Sequence, residues 1–155
     1  MEMLMANFFQ FEADFVDSLR CIPMQVRYKL DTCGIKLKLS DWNQMSISLR
    51  EKLVELPCTT ANEIQLYHEY LLSLILELTG KPATQILVEP SPPWLDTTTV
   101  PLEFQEKAKE IGATVSLQKW ESLTNLQRFA LLKLYRSGHE NKNFAKAMAE
   151  FDLLS

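Results

Sequence analysis

The sequence predicts an all-α fold: a single-domain bundle of about six to eight helices carrying one long proline-rich loop. Three observations lead there. Apolar residues recur at helical spacing through most of the chain, as in Phe8, Phe11, Phe15 and Leu19, or Trp42, Met45, Leu49 and Leu53. All four glycines, Gly34, Gly80, Gly112 and Gly138, stand where such runs stop, the place a left-handed residue takes after a helix. Five of the seven prolines crowd into residues 81–101, as Pro82, Pro90, Pro92, Pro93 and Pro101. Fixed φ angles and missing amide donors exclude regular structure over most of that span.

Taken in order, residues 1–7 are read as a disordered lead-in and residues 8–19 as an amphipathic helix with a dense aromatic face. Pro23 suits the first turn of a second helix, lined by Val26, Leu30 and Cys33 and ended by Gly34. Ile35-Lys-Leu-Lys-Leu39 alternates like a strand but has no evident partner, so an extended linker is expected. Ser40 or Asp41 can cap the next helix, which runs to about residue 56 ahead of Pro57. Thr60 and Glu63 have capping-box spacing and open a long helix to Thr79. That helix is apolar nearly all round, so burial is expected for it.

Within the loop, Ile86-Leu-Val88 fits a short extended piece. Trp94 follows a Pro-Pro pair and serves either as a staple to the domain or as an anchor for a partner. Helix resumes at Pro101 with Phe104, Ala108 and Ile111 inward, and Ser116 caps a short turn carrying Leu117 and Trp120. Thr124 and Gln127 make a second capping box, opening a helix to Arg136. Leu126, Ala130, Leu131, Leu134 and Tyr135 cover half of its circumference, and Phe129 and Leu132 interrupt the other half. A helix without a clean polar side is a buried one. It is expected at the centre of the domain beside the helix ending at Thr79, with Arg128, Lys133 and Arg136 snorkelling out or meeting acidic groups. Phe144, Ala147, Met148 and Phe151 mark a last helix. No internal repeat and no sustained heptad stands out.

Composition narrows the function classes. The 155 residues carry a net charge of −4 and a pI near 5.2, against generic nucleic-acid binding. The N-terminus lacks a basic region before an apolar run, and no apolar stretch is long enough to span a bilayer. Cys21, Cys33 and Cys58 are odd in number and unpaired in spacing, as befits free thiols in the cytoplasm. Charge is uneven: five basic residues and Asp31 lie between Arg20 and Lys38, and seven acidic residues with Lys81 between Leu53 and Glu103. This reads as ordinary solvated faces or as a bipolar docking surface.

No catalytic set, metal site or cofactor is expected. The cysteines with His68 and His139 have no zinc-ligand spacing. There is no nucleophile elbow and no glycine-rich phosphate loop. Cys21, near Arg20 and a helix start, is read as inert. His139 is expected to satisfy the last carbonyls of the helix before it.

Phe11-Glu12, Asp14-Phe15, Arg20-Cys-Ile-Pro-Met24, Val26-Arg27, Lys29-Leu-Asp31 and Gly34-Ile-Lys-Leu37 come in close order. Trp42, Arg50, Pro93-Trp94 and Trp120 follow. Then come Gln127-Arg-Phe-Ala-Leu131, Lys133-Leu134, Gly138-His-Glu140, Asn143-Phe144 and Glu150-Phe151. This pattern, from about Phe8 to Leu153, resembles the nitrate reductase associated protein family, found largely in cyanobacteria. The resemblance implies a non-catalytic accessory or maturation factor. Such a factor would bind assimilatory nitrate reductase, or its apo form, and support its activity or molybdenum-cofactor loading. The expected contacts are Arg27, Lys29, Asp31, Trp94, Arg128, His139 and Glu140. These are charged and aromatic groups that helical patterning does not need for a core. The competing reading is a binding module for a small anionic, pterin-like ligand held by Arg27, Arg128 or Arg136.

Overall fold

A computed structural model describes residues 8–13, 19–136 and 141–154. The lead-in at 1–7, the inner position Phe15, and the corner of Gly138, His139 and Glu140 lie outside the described residues. The fold is all-α, with eight α-helices and one minimal two-stranded sheet among the described residues. The chain forms two compact units, the first holding Phe8 and Glu12–Val88, the second Phe9–Phe11 and Glu89 onward.

The first unit opens with α1 (Met24–Cys33). Pro23, with no amide of its own, stands at the N-cap at φ −65°, and the free Met24 amide donates to Glu12 Oε2 at 3.1 Å. Gly34 ends α1 at φ 81° with its amide on Leu30 O. A Cβ there would sit 2.8 Å from Ile86 O, so both conformation and close approach require glycine. The alternation after it is a strand at its start, not a linker. β1 (Ile35–Lys36) pairs antiparallel with β2 (Thr84–Gln85), Ile35 opposite Gln85 and Lys36 opposite Thr84. The partner comes from the proline-rich span, nearly fifty residues on, which local pattern cannot reveal.

The single helix expected up to residue 56 is two. α2 (Leu39–Gln44) ends where Met45 turns extended, and Ser46 starts α3 (Ile47–Glu55) by accepting the Leu49 amide at 3.2 Å. The serine cap outweighs the continuing apolar stripe, and the bend leaves Trp42 fully buried. α4 (Ala61–Thr79) carries the expected capping box: Glu63 takes the Thr60 amide at 3.0 Å and Thr60 takes the Glu63 amide at 3.1 Å. It is buried on one side only, through Tyr67, Leu71, Leu74 and Ile75, while Leu66 and Leu76 are more than half exposed. It packs on α1 and α2 in its own unit.

The second unit holds a 3-10 turn at Pro93–Leu95, then α5 (Leu102–Glu110), α6 (Leu117–Ser122), α7 (Asn125–Arg136) and α8 (Asn141–Glu150). α7 is its centre, packed on α8, α5 and the Pro93–Leu95 turn, with Phe129, Ala130, Leu131 and Leu134 wholly buried. Its capping box closes as expected, Thr124 N to Gln127 Oε1 at 2.9 Å and Gln127 N to Thr124 Oγ1 at 3.1 Å. Ile111, expected inward, is 40% exposed, because α5 stops at Glu110 and the chain turns away at Gly112. Of the helix expected over 8–19, Gln10–Glu12 is a 3-10 turn and Leu19 has φ 55°, and residues 14–18 lie outside the described residues. Phe9 and Phe11 stack on each other and meet Phe151 edge-on, and Glu150 accepts the amides of Gln10 and Phe11.

Candidate functional site

Of the side chains expected to face a partner, Arg27, Lys29, Trp94 and Arg128 make contacts inside their own units. Arg27 on α1 is half-buried and donates from Nε to Ile22 O at 3.3 Å. Lys29, one turn-edge further, reaches the end of α3, where Nζ donates to Val54 O and Leu56 O, each at 2.6 Å, 5.8 Å from the Tyr67 ring centre. Helix-end carbonyls carry partial negative charge, so an ammonium there is held by dipole and hydrogen bonds together. Burial lowers the Lys29 pKa, and nearby Cys58 pulls it partly back. Asp31, also on α1, is half-buried.

In the second unit the structure brings Trp94 and Arg128 together. Arg128 is only 4% exposed. Its Nε donates to Trp94 O at 2.7 Å and its Nη1 to Trp120 O at 3.1 Å and to Leu123 O. Its Nη2 donates to Asn125 Oδ1, and the guanidinium lies 6.0 Å from the Trp120 ring centre. The fork thus binds the ends of α6 and of the Pro93–Leu95 turn to the start of α7. These hydrogen bonds go to three backbone carbonyls and one amide oxygen. Trp94 is half-buried and meets Phe129 edge-on at 5.0 Å, which is the staple geometry. Arg136 is exposed and lies over the Tyr135 ring. His139 and Glu140 lie outside the described residues.

The profile of the conserved nitrate reductase-associated protein family matches residues 8–151. The chain belongs to this family. No curated protein and no solved structure is found to match it. The family match runs through both units and takes in every position named above.

In this family member the thiols of α1 and the α3–α4 corner are suppressed. Burial, with Cys58 nearby, pushes Cys33 up to about 12, and burial pushes Cys58 up to about 11 against the pull of Lys29. Tyr67, whose hydroxyl donates to Leu53 O at 2.8 Å, is raised well above the usual phenol range by burial. Both thiols are therefore protonated and poor nucleophiles at neutral pH. His68 holds Cys33 O at 2.8 Å through Nδ1, which must carry the proton to donate to a carbonyl. Among the described residues no group of three or more His, Cys, Asp or Glu is placed to hold a metal ion, and no helix is long and apolar enough to cross a membrane.

A pH prediction follows, with its sign. Above about pH 9 an unfolded chain releases the two thiol protons, while the folded chain keeps them until pH 11–12. Stability is full below pH 9 and falls as pH rises through that window. Tyr67 acts in the same direction, and Lys29, whose pKa is lowered by burial, opposes them. Urea unfolding from pH 8 to 10.5 checks this, and the Cys33→Ala/Cys58→Ala double variant should show a flatter fall.

Pattern reading marked Ile86-Leu-Val88 as a short extended piece but gave it no contact role. Ile86 is 40% exposed, Val88 50% and Leu87 96%. The available signal was an uncharged apolar triplet lying between prolines rather than in a helix.

Proposed function

We propose that this chain is a non-catalytic accessory protein that docks on nitrate reductase in the cytoplasm and supports its activity or the loading of its molybdenum cofactor. Family membership across both units is the observation that carries this reading. The docking surface we assign is the edge strand running from β2 through Val88. Ile86 N donates to Gly34 O at 2.8 Å, so the backbone groups of its neighbours Gln85 and Leu87 point away from β1. An exposed strand edge with apolar side chains and no lysine, proline or bulge is a template for strand addition. Residues 84–88 contain none of these protections. Arg27, Lys29 and Arg128 support docking indirectly, by holding the units in shape.

The reductase itself provides the test. Cells lacking this protein should yield nitrate reductase with lower activity and lower molybdenum content, restored by returning the chain. Equal activity and equal metal content with and without it would refute the proposal.

A further inference from the structure

The two units repeat one pattern, and we infer that the chain arose by internal duplication of a single four-helix module. Residues 23–56 align with 101–134 without a gap, 78 positions apart. Eight residues are identical: Pro23/Pro101, Lys29/Lys107, Gly34/Gly112, Leu39/Leu117, Trp42/Trp120, Arg50/Arg128, Leu53/Leu131 and Leu56/Leu134. The elements keep the same offset. α1 and α5 each follow their proline, Gly34 and Gly112 have φ 81° and 79°, α2 and α6 coincide at both ends, and α3 and α7 start together.

The detailed bonding repeats as well, which identity of helix count alone would not require. Trp42 and Trp120 are both fully buried. Met45 N bonds Trp42 O at 3.0 Å, and Leu123 N bonds Trp120 O at 3.2 Å. Ser46 takes the Leu49 amide and Thr124 the Gln127 amide. Eight residues after each tryptophan an arginine returns to it. Arg50 Nε donates to Trp42 O and Arg128 Nη1 to Trp120 O, both at 3.1 Å, with guanidinium-to-ring distances of 5.7 and 6.0 Å.

Each indole N–H is also taken by a carbonyl of the segment leading into its module: Leu19 O at 2.7 Å, Asp96 O at 2.9 Å. The fourth helices continue the match one residue out of step, with Tyr67, Leu71 and Leu74 answered by Phe144, Met148 and Phe151, all buried. A repeat did not stand out in the sequence because the identities are sparse and the elements differ in exposed residues.

Duplication separates what the module needs from what one copy added. The lock of tryptophan, arginine and hydroxyl cap is present in both copies, so it is scaffold. The counterpart of β1 is Ala113–Thr114, which forms no strand. The β1–β2 pair is therefore not required for the module to close.

Exchange of equivalent parts in the full chain tests the inference. Residues 39–46 are replaced by the sequence of 117–124, which keeps Trp at position 42, and separately by that of 118–125, which moves it. The registered exchange should unfold cooperatively with a urea midpoint close to the parent, and the shifted one should lose that transition. A registered exchange as unstable as the shifted one overturns the inference. A crystal structure gives an independent reading. The 34 Cα pairs should superpose at the 78-residue offset with both Trp–Arg pairs coincident, and failure to superpose at that offset overturns it.

Discussion

Arg128→Ala is expected to destabilise the protein by about 3–5 kcal/mol. The substitution removes the donor from the carbonyls of Trp94 and Leu123, and one of two donors from that of Trp120, which keeps the Leu123 amide. An unsatisfied buried acceptor costs about 1–3 kcal/mol, and two neighbouring ones do not add in full because water or small shifts relieve part of the loss. The packing of the arginine stem against Trp120 goes too. Total stability of a domain is about 5–15 kcal/mol, so the loss would leave the chain marginal. Arg128→Lys separates the contributions. A lysine retains the charge and one or two of the bonds but cannot span three acceptors, so it should recover only part of the loss. Urea unfolding followed by tryptophan fluorescence reads both variants. A loss under about 1 kcal/mol for the alanine would show that the fork is not what joins α6, α7 and the Trp94 turn.

The second large effect is expected at Trp42. Trp42→Ala removes a fully buried indole in a tightly packed core, at a cost of about 3–5 kcal/mol. It also removes the Nε1 hydrogen bond to Leu19 O. That carbonyl keeps the Arg50 Nη1 donor at 3.0 Å, so the hydrogen-bond part of the loss is small and the cavity part dominates. Trp42→Phe should then recover most of the stability, since it fills much of the volume while lacking the indole N–H. If phenylalanine were as damaging as alanine, the Leu19 contact would matter more than packing.

How much of this could be read beforehand depends on how local each cause is. The capping boxes at Thr60/Glu63 and Thr124/Gln127 and the Ser116 cap involve residues three apart, and all were legible. Burial of Trp42, Trp120 and the α7 core follows from helical spacing. The strand pair was not legible, because Ile35 and Gln85 meet only after α4 has returned the chain. Nor was the break at Met45, where one serine hydroxyl decides between a continuous helix and two.

The cations were the hardest to place. Lys29 and Arg128 looked surplus to a helical core, yet both bond backbone carbonyls at helix ends. Those acceptors are the same on every residue and leave no mark in sequence. The exposed strip of Ile86 to Val88 was visible as a run of letters, but its exposure depends on which of its faces β1 covers.

The most direct test is gel filtration of the purified chain with nitrate reductase, comparing wild type and Leu87→Asp. Leu87 is almost fully exposed, so aspartate there should leave the unfolding midpoint unchanged. The wild type should co-elute with the reductase and the variant should elute alone. A wild type that elutes alone, or a variant that co-elutes as well as the parent, would contradict docking through this edge.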